Sequence, residues 1–299
     1  MDVLLVPFLE ATVRTATPLA YAALGELVAE RAGVINLGLE GIVIAGCLGA
    51  MLASQGAGVA AGLVAAALAG VLMAACFAFL VVRVRTDQII TGTALTLLGL
   101  GGTGVIFRVV TRRGMPASTP TIGPMPIPVL GEIPIVGPAL FSQPITTYAL
   151  YFLVPALAWW LFRTRGGLAL RAVGERPEAA AAAGVRPDVV RVLAILFSGV
   201  MGGLCGGMLV LVQVGSFNEG MSAGRGFIAI AVVVLGRWTP LGVVGAAGVF
   251  GAAFALQFLF QSLDWAVPYQ IFLALPYLLT LVLLASLRGR ATAPASLGR

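Results

Sequence analysis

The sequence predicts an all-α polytopic membrane protein of about 8–9 transmembrane helices, one of them short or broken. Two observations carry that expectation. Of the 299 residues, 60% are hydrophobic and only 10% are charged, against about 45–50% apolar and about 25% charged in soluble domains. So few charges cannot coat a water-exposed surface. Apolar runs of about 18 residues or more also recur along the chain, each long enough to cross a hydrocarbon core about 30 Å thick. The whole of 1–299 therefore reads as one transmembrane domain.

Taken in order, the apolar runs place helices near 8–29, 37–55, 57–82, 88–108, 145–162, 189–213, 225–236, 240–262 and 267–287. The run at 225–236 is too short to span alone and reads as a half-helix. The first run is less apolar than the rest, since it carries Glu10, Arg14 and Glu26. Glycine pairs four residues apart, Gly58/Gly62, Gly202/Gly206 and Gly203/Gly207, allow close helix approach. They read as packing faces inside one bundle, with homodimerisation through one of them as the alternative.

Missing residue types exclude whole chemistries. All 18 basic residues are Arg, and there is no His. Without Lys the phosphate-binding loop G-x-x-x-x-G-K-[ST] cannot exist, so no nucleotide-hydrolysing module of that kind is present. A Lys Schiff base and His-based metal or nucleophile chemistry fall away too. Cys47, Cys76 and Cys205 lie far apart inside apolar runs and read as small buried hydrophobes. No metal, cofactor or nucleic-acid partner is expected. The residues around Asp2, Glu10 and Arg14 lack a basic n-region, so no removable signal peptide is expected.

Arginine placement gives an orientation. The linker 163–191 holds Arg163, Arg165, Arg171, Arg176, Arg186 and Arg191. Arg83 and Arg85, and the tail 288–299 with Arg288, Arg290 and Arg299, count to the same side, which should be the cytoplasm. The Pro-rich stretch 109–144 then lies outside, although Arg108, Arg112 and Arg113 run against the rule there.

The most informative stretch is Glu30-Arg31-Ala32-Gly33-Val34-Ile35-Asn36-Leu37-Gly38-Leu39-Glu40-Gly41. Its glycines should break the helix between two apolar runs. Freed backbone groups at membrane depth are tolerated only against protein or a wet cavity, and broken helices are where transporters place substrate or coupling sites. Glu30 and Arg31 read as a helix cap at the membrane surface. Asn36 and Glu40, flanked by apolar residues, read as interior gating or pathway groups, with a purely structural hydrogen bond as the alternative for Glu40. Downstream, Gln88 and Thr96 are candidates to line a pathway or to glue helices together. Thr91 and Thr93 can satisfy themselves on the preceding turn.

The 163–191 linker is built more carefully than a tether needs. Glu175-Arg176-Pro177-Glu178 followed by Ala179 to Ala183 and Gly184 has Pro and Glu in a first turn and Gly past the end, the punctuation of a short helix. A helix of one or two turns is not stable alone. An alanine face bounded by charges suits a groove on a soluble partner, with a helix lying on its own bundle as the alternative.

Residues 30–41 resemble the E-R-x-G-V-x-N-[IL]-G-x-E-G signature of ATP-binding-cassette importer permeases, in the branched-chain amino acid, simple sugar and nucleoside superfamily. Arg171-Ala172-Val173-Gly174-Glu175-Arg176-Pro177-Glu178-Ala179-Ala180 is similar to that family's cytoplasmic loop R-A-V-G-E-x-P-x-A-A. Gly224 to Ala231 and Gly236-Arg237-Trp238-Thr239-Pro240 resemble its G-x-G-F-I-A-L-A and G-[RK]-W-x-P blocks. The resemblance runs from about 18 to 285 and is nearest the shorter nucleoside-type permease. Leu235 stands where many relatives carry Phe, and Thr96 where relatives often carry Asn.

The resemblance implies a type II importer-like bundle whose ATP is hydrolysed by separate cassette subunits. Arg171, Gly174, Glu175, Pro177, Ala179, Ala180 and Gly184 would form the coupling loop they grip. It further implies an extracytoplasmic substrate-binding protein, and a second permease subunit that is a longer paralogue or another copy. The setting would be a bacterial cytoplasmic membrane. On this reading Asn36 and Glu40 gate the pathway, and Gln88 and Thr96 lie on the ligand side. The same machine carrying simple sugars or branched-chain amino acids is the nearest alternative. A self-sufficient ion-coupled carrier, or an intramembrane enzyme built on an acidic pair such as Glu26 and Glu40, follows at a distance.

Overall fold

In the computed structural model the described residues are 2–112, 114, 118–261, 274, 278 and 293–298. Among them the chain is mostly helical, as expected. The long elements are α1 (Asp2–Arg31), α2 (Leu39–Ala78), α3 (Gln88–Arg112), α4 (Val136–Phe141) and α5 (Ile145–Arg163). They are followed by α6 (Arg165–Glu175), α7 (Pro177–Ala182), α8 (Pro187–Met208), α9 (Arg225–Leu235) and α10 (Pro240–Gln261). Widened π-type turns extend α2 over Phe79–Val84 and α8 over Leu209–Val214. The predicted helix at 267–287 lies outside the described residues, apart from helical Ala274 and Leu278. So do Arg113, Arg288, Arg290 and Arg299.

Among the described residues, five segments are long and apolar enough to cross a membrane: Leu39–Val84, Gln88–Arg112, Ile145–Arg163, Pro187–Val214 and Pro240–Phe260. The first is two helices. Gly58 takes φ 81° and ψ 178°, a conformation open to glycine and costly for any residue with a Cβ. Beyond it the chain doubles back, so that Gly62 lies against Ala50 and Ser54, and Gly49 against Ala65 and Ala69. The two runs predicted at 37–55 and 57–82 are thus the legs of one antiparallel hairpin.

Helix α8 lies between those legs. Cβ atoms placed at Gly203 and Gly206 would collide with the Ala66 and Val43 carbonyl oxygens, one on each leg. At this range the backbones touch, and packing rather than the hydrophobic effect holds helices together in lipid. The glycine pairs of α8 therefore serve the fold of one chain. Helix α1 completes the centre, with Gly25 against Ser198 and Met201 of α8, and Thr12 and Ala16 against Gly251 of α10. Leu24, Leu27, Ile44, Met51, Cys47 and Cys205 are buried along this seam, whereas Cys76, expected to be buried like them, is exposed.

One face of the bundle carries α6, α7, the ends of α1 and α9 and the start of α3; the opposite face carries 118–144, the end of α3 and the loop before α9. In that loop Glu219 pairs with Arg108 at 2.7 Å. Between the faces the chain climbs along α8 and then dips back, so α9 begins inside the bundle beside Glu40 and ends beside Glu30 and Arg31. The half-helix expected at 225–236 is present.

Candidate functional site

The segment joining α1 to α2 is non-helical over 34–36, and polar groups from three helices, α1, α3 and α8, fasten it. Glu26, one turn up α1, accepts the Asn36 N–H (2.8 Å) on one carboxyl oxygen and the Ser198 hydroxyl (3.3 Å) on the other. The Asn36 amide donates to that same hydroxyl at 3.5 Å. From α3, Gln88 accepts the Ile35 N–H at 2.9 Å and the Thr96 hydroxyl donates to the Leu37 carbonyl at 3.1 Å. This arrangement answers the demand that broken backbone inside a bilayer find protein partners. Thr91 and Thr93 bond to their own preceding turns, at the carbonyls of Asp87 and Ile89.

Glu40 supplies the seat for α9. Its two carboxyl oxygens accept the N–H groups of Gly224 (2.8 Å) and Gly226 (2.7 Å). Those donors belong to a helix start, where backbone N–H groups have no partner within the helix. The approach needs glycine: a Cβ at Gly226 would collide with the Glu40 backbone.

Of Glu30 and Arg31, expected as a surface cap, Arg31 ends α1 half-buried, whereas Glu30 is withdrawn into the protein. Glu30 is 1% exposed and accepts the Trp238 indole N–H at 2.5 Å. The Arg31 guanidinium donates twice to the Trp238 carbonyl, from Nε at 2.9 Å and Nη2 at 2.6 Å. The turn after α9 folds over both residues, burying Glu30 and leaving Arg31 half-buried. That turn holds Arg237 and Trp238 at φ 52° and 53°, a left-handed conformation costing on the order of 1 kcal/mol or more per residue. The hydrogen bond Trp238 gives to Glu30 and the two it accepts from Arg31 hold it there.

On the same face α6 and α7 form the predicted short-helix unit. Thr164 caps α6 by accepting the Gly167 N–H at 3.2 Å, and Gly167, Leu170, Val173 and Gly174 turn inward. The Arg171 guanidinium sits 5.2 Å from the centre of the Phe162 ring. Pro177 opens α7 at its first turn. Gly184, at φ 85°, closes it, with Gly184 N–H on the Ala181 carbonyl and Val185 N–H on the Ala180 carbonyl, both 3.0 Å. This is the double bond of a Schellman end. Ala180 faces the bundle, 4% exposed, whereas Glu175, Arg176, Glu178, Ala179 and Ala181 to Gly184 face outward. The outward alanine surface is therefore Ala179 and Ala181 to Ala183.

The two halves of the site touch. A Cβ on Gly174 would collide with the Arg31 carbonyl oxygen, and the Gly33 N–H lies just beyond. Thus the 171–184, 224–231 and 236–240 blocks, far apart in sequence, all contact the 30–41 segment. Among the four pathway candidates, Asn36 (0% exposed), Glu40 (4%), Thr96 (6%) and Gln88 (9%) are all buried. Gln88 borders a polar cavity of about 410 Å³ that Arg85, Asp87, Asp188 and Arg191 also line. The Asn36 side-chain oxygen has no hydrogen-bond partner among the described residues.

Sequence reasoning missed Ser198 and undervalued Glu26, although a carboxylate within an apolar run is itself a signal.

Residues 8–284 match the family model described as branched-chain amino acid transport system, permease component. The chain belongs to that permease family. A guanosine ABC transporter permease of Bacillus subtilis is 36% identical over 96% of this chain and 94% of its own length. A nucleoside ABC transporter permease of Lactococcus lactis subsp. cremoris is 32% identical over 94% of this chain and 92% of its own. A putative glucose ABC transporter permease of Haloferax volcanii is 38% identical over 87% of this chain and 79% of its own. The permease is a multi-pass membrane transport subunit, and in it the 171–184, 224–231 and 236–240 blocks meet at the 30–41 segment.

Proposed function

We propose that this permease is the membrane-spanning subunit of an ATP-driven importer that carries nucleosides across a bacterial cytoplasmic membrane. The observation that carries the substrate is the likeness, end to end, to the guanosine and nucleoside permeases. With no Lys in the chain, no phosphate-binding loop of the G-x-x-x-x-G-K type is available, so separate cassette subunits hydrolyse the ATP. They grip the 163–191 segment, which together with the tail 288–299 lies on the cytoplasmic side, while 109–144 lies outside. In that grip Arg171, Gly174 and Pro177 shape and seat the loop, Glu175 and Ala179 meet the partner, Ala180 anchors α7, and Gly184 ends it. An extracytoplasmic binding protein delivers the ligand. The pathway runs between this subunit and a second permease, a longer paralogue or another copy, and opens to each side in turn.

Within the chain the moving gate is the segment from Gly33 to Glu40. Asn36 and Glu40 are its two polar anchors, one to α1 and α8, the other to α9. Gln88 is the ligand-side group, at the edge of the polar cavity, and Thr96 sets the gate's position through the Leu37 carbonyl. A push on α7 reaches this gate through the Gly174–Arg31 contact.

The test is uptake of labelled nucleoside into proteoliposomes that hold the complete complex, driven by ATP from the cassette side. Competition by unlabelled guanosine or uridine, and none by leucine or glucose, is the expected result. Competition by glucose alone would move the cargo to sugars, the reading that the Haloferax relative favours. Uptake by the purified chain alone, without ATP, would remove the importer reading altogether.

A further inference from the structure

The last described residues, 293–298, lie against the 30–41 segment and the coupling loop at once. Ser296, 7% exposed, donates its hydroxyl to the Gly174 carbonyl at 2.6 Å and to the Val173 carbonyl at 3.3 Å. Its own N–H donates to the Gly174 carbonyl at 2.9 Å. The Ala295 N–H reaches the Glu175 carboxyl at 3.4 Å. On the other side the Gly298 N–H reaches the Gly33 carbonyl at 3.4 Å. Leu297 packs against the central apolar cluster, and Pro294 is buried.

These bonds fall where the chain needs them. The final carbonyls of α6 have no partner within the helix, and Val173 and Gly174 are two of them. A serine hydroxyl and its own N–H satisfy both. The same six residues bond to Gly33, the point at which α1 gives way to the non-helical segment. Without them, no hydrogen bond among the described residues joins α6 or α7 to the 30–41 segment, and Gly174 only touches Arg31 and Gly33. A contact of that kind resists compression and has little to hold it when pulled apart.

We infer that residues 293–298 are a strap that binds the base of the coupling loop to the 33–40 segment, with Ser296 as its positioning residue, so that a pull on α7 in either direction moves the gate. This rests on the reading of the 163–191 loop as the site gripped by the ATP-hydrolysing subunits. The strap touches no ligand. It converts docking into transport by keeping two elements in register.

The test uses the complete complex in proteoliposomes with Ser296→Ala, Ser296→Thr and deletion of 293–299. Three quantities are read: ATPase-subunit retention on the purified complex, ATP hydrolysis, and nucleoside taken up per ATP hydrolysed. Ser296→Ala is expected to keep retention and hydrolysis and to lower uptake per ATP by roughly three- to tenfold, the factor that losing one or two hydrogen bonds to buried carbonyls corresponds to. The deletion should lower it further, and Ser296→Thr, which keeps the hydroxyl, should restore most of it. Wild-type uptake per ATP in both Ser296→Ala and the deletion would overturn the strap. So would loss of ATPase subunits on deletion, which would make the segment part of the docking surface itself. Ala181→Trp, run alongside, tests the docking reading separately, because a complex that retains its ATPase subunits with Trp there removes that reading while leaving the Ser296 comparison intact.

Discussion

Replacing Glu40 should unseat α9. Its carboxyl oxygens take two backbone N–H groups, at 2.8 and 2.7 Å, in a site 4% exposed. A buried donor left without a partner costs about 1–3 kcal/mol. Glu40→Gln keeps one acceptor oxygen and turns an NH₂ toward the other donor, so about 1–3 kcal/mol is lost. Glu40→Ala orphans both donors and loses about 2–6 kcal/mol, a large share of a typical stability of about 5–15 kcal/mol. Where the seat of α9 governs the gate, 1–3 kcal/mol corresponds to a change of about 5- to 150-fold. The assay pairs thermal unfolding of the purified variants with nucleoside uptake by the reconstituted complex. The expected order in both is wild type, then Gln, then Ala, with ATPase-subunit retention unchanged in Glu40→Gln because the coupling loop is untouched. Wild-type melting and uptake in Glu40→Ala would refute the reasoning at its root, since two orphaned donors cannot be neutral.

Gly174→Ala should separate the coupling loop from the 30–41 segment, because the new Cβ meets the Arg31 carbonyl; uptake per ATP should fall severalfold while the protein still inserts, and normal coupling would count against the contact. The two faces of α7 should respond differently to bulk. Ala180→Trp should lower the melting temperature of the isolated subunit, since Ala180 is buried, whereas Ala181→Trp should leave melting unchanged and reduce ATPase-subunit retention. On the opposite face, the hydrogen bond from Arg108 holds the Glu219 carboxyl below the usual carboxylate range. A depressed folded value makes the pair's contribution present above the unfolded carboxylate pKa, near ~4.3, and lost as pH falls through the folded value. Both partners are exposed, so the effect is small. Arg108→Ala should narrow the gap in melting temperature between neutral and acid conditions, and an unchanged gap would remove the pair from the account.

Much of this was legible in the residues. Among the described residues the apolar runs gave the membrane helices, most of them within a few positions, and the Gly58 turn could be read as a break between two runs. Its tightness could not be, since a single left-handed glycine is enough to reverse the chain. The punctuation of α7, from Pro177 to Gly184, was plain because helix ends are local chemistry. The burial of Glu30 was not, because it depends on a turn about two hundred residues away that lays Trp238 over it. The same holds for Glu40 and the Gly224–Gly226 backbone, and for Ser296 and the end of α6. Each is a pairing of one side chain with distant main-chain groups, which leaves no periodicity in the sequence. Ala180 shows the converse. Five consecutive alanines look alike in sequence, and only the packing of α7 on the bundle tells the inward one from its neighbours.

A pair of distances in the complete complex tests most directly whether the 30–41 segment travels with the coupling loop. Labels on Ile35 and Ala182 report the junction, and labels on Ser118 and Ala182 report the relation between the two faces. On trapping the ATPase subunits with nucleotide, the separation of Ser118 and Ala182 should shift while that of Ile35 and Ala182 stays as it was. A change between Ile35 and Ala182 as large as that between the faces would mean that the loop moves without its gate, and would contradict the account.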